Sequence, residues 1–296
     1  MTPEEAKDAQ RLSRVVRSAR KLLGMTQADL ARELDIQQGT LSKIESGRLI
    51  LSSTQWFRFC QWVRVDPRET YATGLIDIWS PVSSVYETSG TELLPAQYRF
   101  SAESRVRSLR PWIIWVSAKM GDRKFDEFCK ARRVDPDCFV ALPTKVSLSF
   151  LFDLIGEGLE RQTLTKKEIS EIAVGAMSPV IHGPQWSEYL EAKEASRGLK
   201  RLVQNSARYE TNFDYRVEES SPRKWVLSAL PRAHTIELIQ KSPHQDRLGA
   251  VLDLYRGYYF ENFLKSTYQT ECSVVTRESV FRGDERCLYE ISIKTA

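Results

Sequence analysis

The sequence has few cysteines, and they follow no recognisable spacing. Its 296 residues include five cysteines, an odd number, and no two of them form a C-x-x-C pair. Disulfide scaffolds need paired cysteines and structural zinc sites need closely spaced ones, so we expect neither, and we predict no metal site. The five thiols are predicted to be reduced and buried. They are Cys60, Cys129, Cys138, Cys272 and Cys287.

Long apolar runs are missing as well. No stretch approaches the roughly 18 uncharged apolar residues that a membrane span needs. The first ten residues, MTPEEAKDAQ, contain no apolar core of a signal peptide. We therefore expect no membrane partner and a cytoplasmic location. The chain is long enough for two domains that each bury their own core.

Patterns that support catalysis are also absent. The sequence has no Ser/His/Asp arrangement, no phosphate-binding loop and no metal-spaced cluster, and it contains only three histidines. His182 and His244 stand next to prolines or glycines and are predicted to lie in loops, while His234 follows a Leu-Pro-Arg turn. We therefore predict that the protein is not an enzyme and that it has no cofactor. Haem is not expected, because its ligation needs a positioned histidine.

What the sequence does contain is a clear helical pair at residues 25–48, MTQADLARELDIQQGTLSKIESGR. Thr26 can cap the first helix, and the acidic Asp29 follows three residues later. Apolar residues then recur at helical spacing, and the pattern breaks before a second helix. The second helix directs Leu41 and Ile44 inward and leaves polar side chains outside. Such a face can present donors and acceptors to the major groove of DNA. The outer residues are Gln37, Gln38, Thr40, Ser42 and Lys43.

This stretch resembles the Cro/repressor-type (XRE) helix-turn-helix family over about residues 10 to 72. Gln27, the small Ala31, the apolar Ile36 and the ending Ile44-Glu45-Ser46-Gly47-Arg48 carry the resemblance. It implies a structural ion pair between Arg20 and Glu45. It also implies that Gln27 and Ser46 hold phosphates while Gln38, Ser42 and Lys43 reach bases, and it places Arg48 in the same interface. Gly39 departs from the family, because it stands where relatives often have a base-reading side chain.

The charge distribution agrees with a nucleic-acid partner. The net charge is only +4, but residues 1–72 contain 12 basic and 9 acidic residues. Residues 98–133 contain 10 basic and 4 acidic residues. The second excess either extends a phosphate-facing surface or forms an ordinary solvated helical face.

The rest of the chain predicts an organisation in two domains. Residues 1–76 are predicted to form an all-α, five-helix DNA-binding domain, and residues 77–97 a linker rich in Ser, Thr, Pro and Gly. Residues 98–296 begin with helical patterns. Alternating runs at 213–217 and 224–228, a long helix at 245–265 and alternating runs at 272–277 and 287–293 follow. This order predicts an α+β domain with a small antiparallel sheet.

The last hairpin, Phe281-Arg282-Gly283-Asp284-Glu285-Arg286-Cys287-Leu288-Tyr289, is similar to the closing hairpin of two groups of small-molecule domains. These are the vinyl-reductase-type and the haem–NO-binding-type domains. The resemblance implies a ligand cavity between the helices and the sheet; otherwise the aromatic side chains simply fill the core. The candidate lining residues are Trp112, Phe213, Tyr215, Trp225, Tyr255, Tyr258, Tyr259 and Phe263.

These observations favour a sequence-specific transcriptional regulator. It is expected to bind double-stranded DNA as a homodimer through the N-terminal domain and to sense a small apolar or aromatic effector through the C-terminal domain. Two alternatives stay open at this point. The C-terminal domain could be a ligand-free dimerisation or protein-interaction module, or it could be catalytic.

Overall fold

The computed structural model describes residues 3–77, 93–161, 164–183, 185–242 and 245–293. Contacts divide the chain into two units, Met1–Arg99 with Asp126–Lys145 and Phe100–Phe125 with Val146–Ala296. Most of the predicted linker, residues 78–92, lies outside the described residues. The predicted boundaries at residues 76 and 98 stay predictions. Residues 126–145, which the sequence placed in the C-terminal domain, group with the first unit.

The helices of the first unit begin where the sequence offers caps. The Thr26 side chain accepts a hydrogen bond from the Asp29 amide at 3.2 Å, and the Asp29 carboxylate accepts one from the Thr26 amide at 3.1 Å. Ser52 and Gln55 form the same reciprocal pair at the start of the fourth helix, and the Asp66 side chain caps the fifth helix by accepting a hydrogen bond from the Glu69 amide. The helices are α1 (Pro3–Leu22), α2 (Gln27–Glu33), α3 (Gln38–Glu45), α4 (Ser53–Val63), α5 (Pro67–Thr73) and α6 (Ala96–Arg99).

The core of the first unit includes residues from far along the chain. Val140 and Ala141 are buried in the same apolar cluster as the inner faces of α1 to α4. Backbone hydrogen bonds fix them there, because the Ile76 amide donates to the Val140 carbonyl at 3.0 Å and the Leu142 amide donates to the Ile76 carbonyl at 3.1 Å. The segment Asp126–Lys145 is therefore a structural part of the N-terminal unit.

Ion pairs attach the same segment to α1. Arg17 donates to both carboxylate oxygens of Asp137, at 2.7 and 2.9 Å, and Lys21 donates to Asp137 at 2.8 Å and also to Asp135. Burial would raise the pKa of Asp137, but the hydrogen bonds from Arg17 and Lys21 hold it below its usual value. We call these four residues the Asp137 cluster.

The second unit combines helices with an antiparallel sheet, as the sequence predicted. Gly121, with φ of +78°, separates α7 (Val106–Met120) from α8 (Asp122–Ala131). The boundary between the units falls within α8. The remaining helices are α9 (Leu148–Arg161), α10 (Lys166–Gly175), α11 (Pro179–His182), α12 (Gln185–Glu191), α13 (Ala195–Gln204), α14 (Ala233–Lys241) and α15 (Gln245–Tyr268). Short 3-10 turns occupy Ser206–Arg208 and Val280–Arg282 in this unit and Pro136–Val140 in the first unit.

Four strands form the main sheet in the order β3-β4-β6-β5, with every neighbouring pair antiparallel. Alternation along the strands buries one face, and β6 is central, because Leu227 of β4 and Thr276 of β5 both pair with Tyr289. The strands are β1 (Ser104–Arg105), β2 (Lys145–Val146), β3 (Phe213–Ser220), β4 (Lys224–Pro231), β5 (Cys272–Glu278) and β6 (Cys287–Ile293).

The long helix α15 packs closely on the sheet and on the last hairpin. The rings of Phe260 and Tyr289 lie 5.5 Å apart. A Cβ atom at Gly249 would lie 2.4 Å from the Cβ of Phe281, so only glycine allows this approach. No helix in the described ranges is both long and apolar enough to cross a membrane.

The Asp137 cluster gives a prediction about stability. Replacing Asp137 by Asn leaves Arg17 without a charged acceptor and leaves Lys21 with Asp135 alone, and we expect a loss of about 1–3 kcal/mol in the free energy of unfolding. The loss should become smaller as the pH falls from the unfolded-state pKa towards the lowered folded-state pKa of Asp137, because protonation then removes the charge of Asp137 in the wild type as well. Urea denaturation at pH 7 and pH 3 measures both effects. Asp35→Asn is the control, since Asp35 is 91% exposed; equal losses in the two variants at pH 7 would contradict the prediction.

Candidate nucleic-acid interface and ligand cavity

The helix α3 has one buried and one solvent-facing side. Leu41 and Ile44 are 0% and 2% exposed. Three polar side chains of this segment are exposed: Gln38 and Lys43 of the helix, and Gln37, which precedes it. Thr40 and Ser42 are half-buried. The structure thus brings the predicted base-facing residues together on one polar surface, which we call the α3 face.

A buried carboxylate fixes the α3 face to the rest of the unit. Glu45, at the end of α3, accepts hydrogen bonds from Arg20 Nε at 2.6 Å and from Arg20 Nη2 at 3.0 Å. Gln27 Nε2 donates to the same carboxylate at 2.9 Å, and Gln38 Nε2 donates to Gln27 Oε1 at 3.0 Å. The Arg20–Glu45 ion pair therefore joins α1 to α3, and Gln27 extends the connection to α2.

Ser46 and Arg48, which follow α3, are exposed and form a local hydrogen-bond network. The Ser46 hydroxyl donates to the Lys43 carbonyl at 3.0 Å, and Arg48 Nε donates to the Ser46 oxygen at 3.0 Å.

Gly39 of α3 is exposed, and a Cβ atom at this position would meet no atom within 4 Å. No packing constraint in the free protein therefore explains the glycine.

The second unit contains a cavity of about 150 Å³. Its walls come from α7, α9, α13, α15 and β3, and most of the lining is apolar or aromatic. Within the lining, the rings of Trp112 and Tyr255 lie 5.0 Å apart, and those of Tyr255 and Tyr259 lie 6.4 Å apart. Of the residues that the sequence proposed as lining, the structure places these at the cavity: Trp112, Phe213, Tyr215, Tyr255 and Tyr259.

Trp225 and Phe263 do not line the cavity, and neither does Tyr258. Trp225 is 2% exposed on β4, with the Lys200 ammonium 5.9 Å from its ring centre. Phe263 is fully buried on α15 and packs edge-on against Tyr189 at 5.4 Å. For Trp225 and Phe263, the interpretation as core residues is the one that holds.

Sequence reasoning missed two charged residues of the cavity, Arg256 and Glu210. Glu210 accepts a hydrogen bond from the Tyr215 hydroxyl at 2.6 Å and one from Asn212 Nδ2 at 3.1 Å. Arg256 stands on α15, and a signal for it exists in the sequence. Its spacing of four residues after Leu252 and three before Tyr259 places it on the cavity-lining stripe of the helix.

His182 is not a loop residue, as the sequence had predicted, but the last residue of α11, and it is fully buried. Its Nδ1 lies 3.0 Å from the Tyr209 hydroxyl, which lies 3.0 Å from the Tyr189 hydroxyl. Burial, and then the charge of Arg107, lowers the pKa of His182 to about 4. The imidazole is therefore neutral at pH 7.

The residues around the cavity do not fit a haem. No histidine is among the described lining residues. The cavity volume of about 150 Å³ is also too small, because sites for drug-sized ligands begin at roughly 300 Å³ and a haem is larger than such ligands. In the described ranges, no three His, Cys, Asp or Glu side chains are grouped so that they could hold a metal ion.

Two short helices joined by a tight turn, with a buried acid–arginine pair behind an exposed polar second helix, define a helix-turn-helix unit. Residues 16–61 match the helix-turn-helix family. This segment is thus an XRE-type helix-turn-helix, as its resemblance to Cro/repressor-type proteins predicted. No curated protein sequence matches the chain significantly.

Among solved structures, the chain is similar to H-NOX proteins. The Fe(II) unliganded H-NOX protein from K. algicida is 10% identical, with a TM-score of 0.48, over 65% of this chain and 97% of that chain. The H-NOX protein from S. oneidensis in its Fe(II)NO ligation state is 9% identical, with a TM-score of 0.45, over 64% of this chain and 99% of that chain.

The open surroundings of Gly39 lead to a prediction. Gly39→Ala should raise the free energy of unfolding by about 0.5–1 kcal/mol, because alanine restricts the unfolded chain and meets no neighbour in the helix. Gly24→Ala is the matched control. A Cβ atom at Gly24 also meets nothing within 4 Å, but the residue has φ of +64°, so alanine should destabilise there. Chemical denaturation measures both changes, and a destabilised Gly39→Ala variant would contradict the prediction.

The buried His182 gives a pH dependence. Its folded-state pKa of about 4 lies below the unfolded value of about 6.5, so its contribution to stability is complete above pH 6.5 and is lost as the pH falls towards 4. Between pH 7 and pH 5 this contribution should fall by about 2 kcal/mol. Denaturation of the wild type and of His182→Gln at both pH values isolates the effect, because all other groups are shared. Equal losses in the two proteins would disprove it.

Proposed function

We propose that the protein is a sequence-specific DNA-binding transcriptional regulator that reads the major groove with α3. The observation that supports this proposal best is the α3 face, a polar surface held by the buried Arg20–Glu45 ion pair within a segment that matches the helix-turn-helix family. An ordinary helical packing unit has no need of an exposed row of amide, hydroxyl and ammonium groups on such a rigid support.

The roles of the individual residues follow from their positions. Gln38, Ser42 and Lys43 reach base edges, since amide and ammonium groups pair with the major-groove edges of purines. Gln27, Ser46 and Arg48 contact phosphates at either end of α3 and fix its register on the duplex. Gln37 and Thr40 complete the surface, and Gly39 lowers the number of base contacts.

The protein acts as a homodimer in this proposal. One helix of eight residues reads only a few base pairs, and two half-sites are needed to reach the specificity that regulators have over non-specific DNA. Binding should therefore involve two chains per operator.

The second unit supplies a ligand-dependent signal in the same proposal. Its apolar cavity suits a small effector, which would act by favouring one of two states that differ in DNA affinity. The alternative is a ligand-free interaction module.

The DNA-binding part can be tested without knowing the operator. Selection of bound duplexes from a random library should give a preferred site, and titrations at fixed salt should then compare the variants. Gln38→Ala should relax the preference at one position of each half-site and weaken binding to the selected site by about 1–3 kcal/mol. Lys43→Ala should weaken it as well, whereas Lys167→Ala, which removes an exposed lysine of the second unit, should not. Unchanged sequence preference in both α3 variants would exclude α3 as the reading element.

A further inference from the structure

Arg256 is the feature of the cavity that its apolar walls do not explain. It lines the cavity from α15, and its guanidinium lies over the Phe213 ring, 4.0 Å from the ring centre. Its Nη1 donates to the Tyr289 hydroxyl at 3.2 Å and lies 3.6 Å from the Cys287 sulfur. In the described part of the chain, no carboxylate oxygen comes within 4.0 Å of its nitrogens.

This arrangement leaves most of the guanidinium unsatisfied. Arginine has five N–H donors and cannot be deprotonated in a protein. Only Nη1 has hydrogen-bond partners among the described residues, so the donors on Nε and Nη2 lack acceptors. Burial of a charge without a directly paired counter-charge is costly, and a charged group buried at a cavity is therefore a candidate for ligand binding.

Neither of the two nearby acids forms an ion pair with the guanidinium at 4.0 Å or less. Glu210, which also lines the cavity, accepts hydrogen bonds from Tyr215 and Asn212, and its charge acts from a longer distance to raise the pKa of Arg256. Asp253, one turn before Arg256 on α15, is 8% exposed, and burial raises its pKa. The arginine is therefore the group of the cavity that is best suited to an anionic partner.

We propose that the cavity binds a small monocarboxylate with an apolar or aromatic body, whose carboxylate pairs with Arg256. A planar guanidinium matches a carboxylate through two parallel hydrogen bonds. The volume of about 150 Å³ sets the size of the body, since an apolar cavity of about that volume holds benzene. Benzoate and hexanoate are acids of this size class. This inference rests on the proposed sensor function and narrows the effector from an apolar molecule to an apolar acid.

The test is calorimetric titration of the full chain, without DNA, at pH 7. Benzoate is compared with benzyl alcohol, and hexanoate with 1-hexanol, so that each pair differs mainly in the charge. At least one acid should bind about 10- to 100-fold more tightly than its alcohol, the range that a charge-assisted hydrogen bond contributes. If neither acid binds, or if the alcohols bind as tightly as the acids, the inference is wrong. This comparison uses the wild type alone and does not depend on how a variant folds.

A variant then assigns the preference to Arg256. Arg256→Met should bind acid and alcohol equally, and its melting temperature without ligand should be unchanged or higher, because the cost of desolvating the guanidinium is removed. Arg282→Met is the matched control and should keep the preference, since Arg282 is 52% exposed. A lower melting temperature for Arg256→Met together with an unchanged preference for the acid would show that Arg256 is structural.

Failure of this inference can be told apart from failure of the sensor function. If an acid binds at Arg256 but does not change the affinity for the selected DNA site, the carboxylate site is confirmed and the proposed sensor function is wrong. A neutral compound that binds the cavity more tightly than the acids and shifts DNA affinity refutes the carboxylate site and leaves sensing intact.

Discussion

The buried carboxylate of Glu45 is the interaction on which the arrangement of the N-terminal helices depends. Arg20 of α1 and Gln27 of α2 both donate to it, and Arg17 donates to the Glu45 carbonyl at 3.2 Å. Because α3 is short, its own hydrogen bonds contribute little to its stability, and its orientation comes from contacts with the neighbouring helices. Loss of the carboxylate would leave the Arg20 guanidinium unpaired and would free the end of α3. The exposed amides of the α3 face are useful for recognition only because this buried pair holds them still.

The second unit uses buried charge in the opposite way. Glu45 meets its partners within the protein, whereas Arg256 forms no ion pair at 4.0 Å or less with the described residues and has Glu210 of the same cavity only as a more distant charge. The Glu45 ion pair stabilises the arrangement of the helices, whereas the guanidinium of Arg256 stays available to pair with an anionic ligand. The aromatic rings around Arg256 strengthen this difference, because they exclude water that would otherwise screen the guanidinium.

The local patterns of the sequence predicted α1 to α5, the two hairpins and α15, because caps and periodicity are local properties. The Asp137 cluster could not be found in this way, since Arg17 and Asp137 are 120 residues apart. Trp225 and Phe263 were assigned to the cavity because aromatic character does not reveal which face of a strand or helix lines a hollow. His182 was assigned to a loop because Gly183 follows it, and α14 was missed since its sequence lies directly after a Pro-Arg turn. Arg256 was missed because a lone arginine in a helix usually faces solvent.

Residues 126–145 matter for how such a chain can change during evolution. An end-to-end fusion of a DNA-binding domain and a second domain crosses from one to the other once, but this chain passes between its two units three times, after residues 99, 125 and 145. Val140, Ala141 and Asp137 therefore belong to the N-terminal unit, although they lie in the sequence between two segments of the second unit. A recombination event that exchanged everything after residue 99 would remove part of the core of the helix-turn-helix unit and leave Arg17 and Lys21 without Asp137. The two halves are consequently expected to be inherited together.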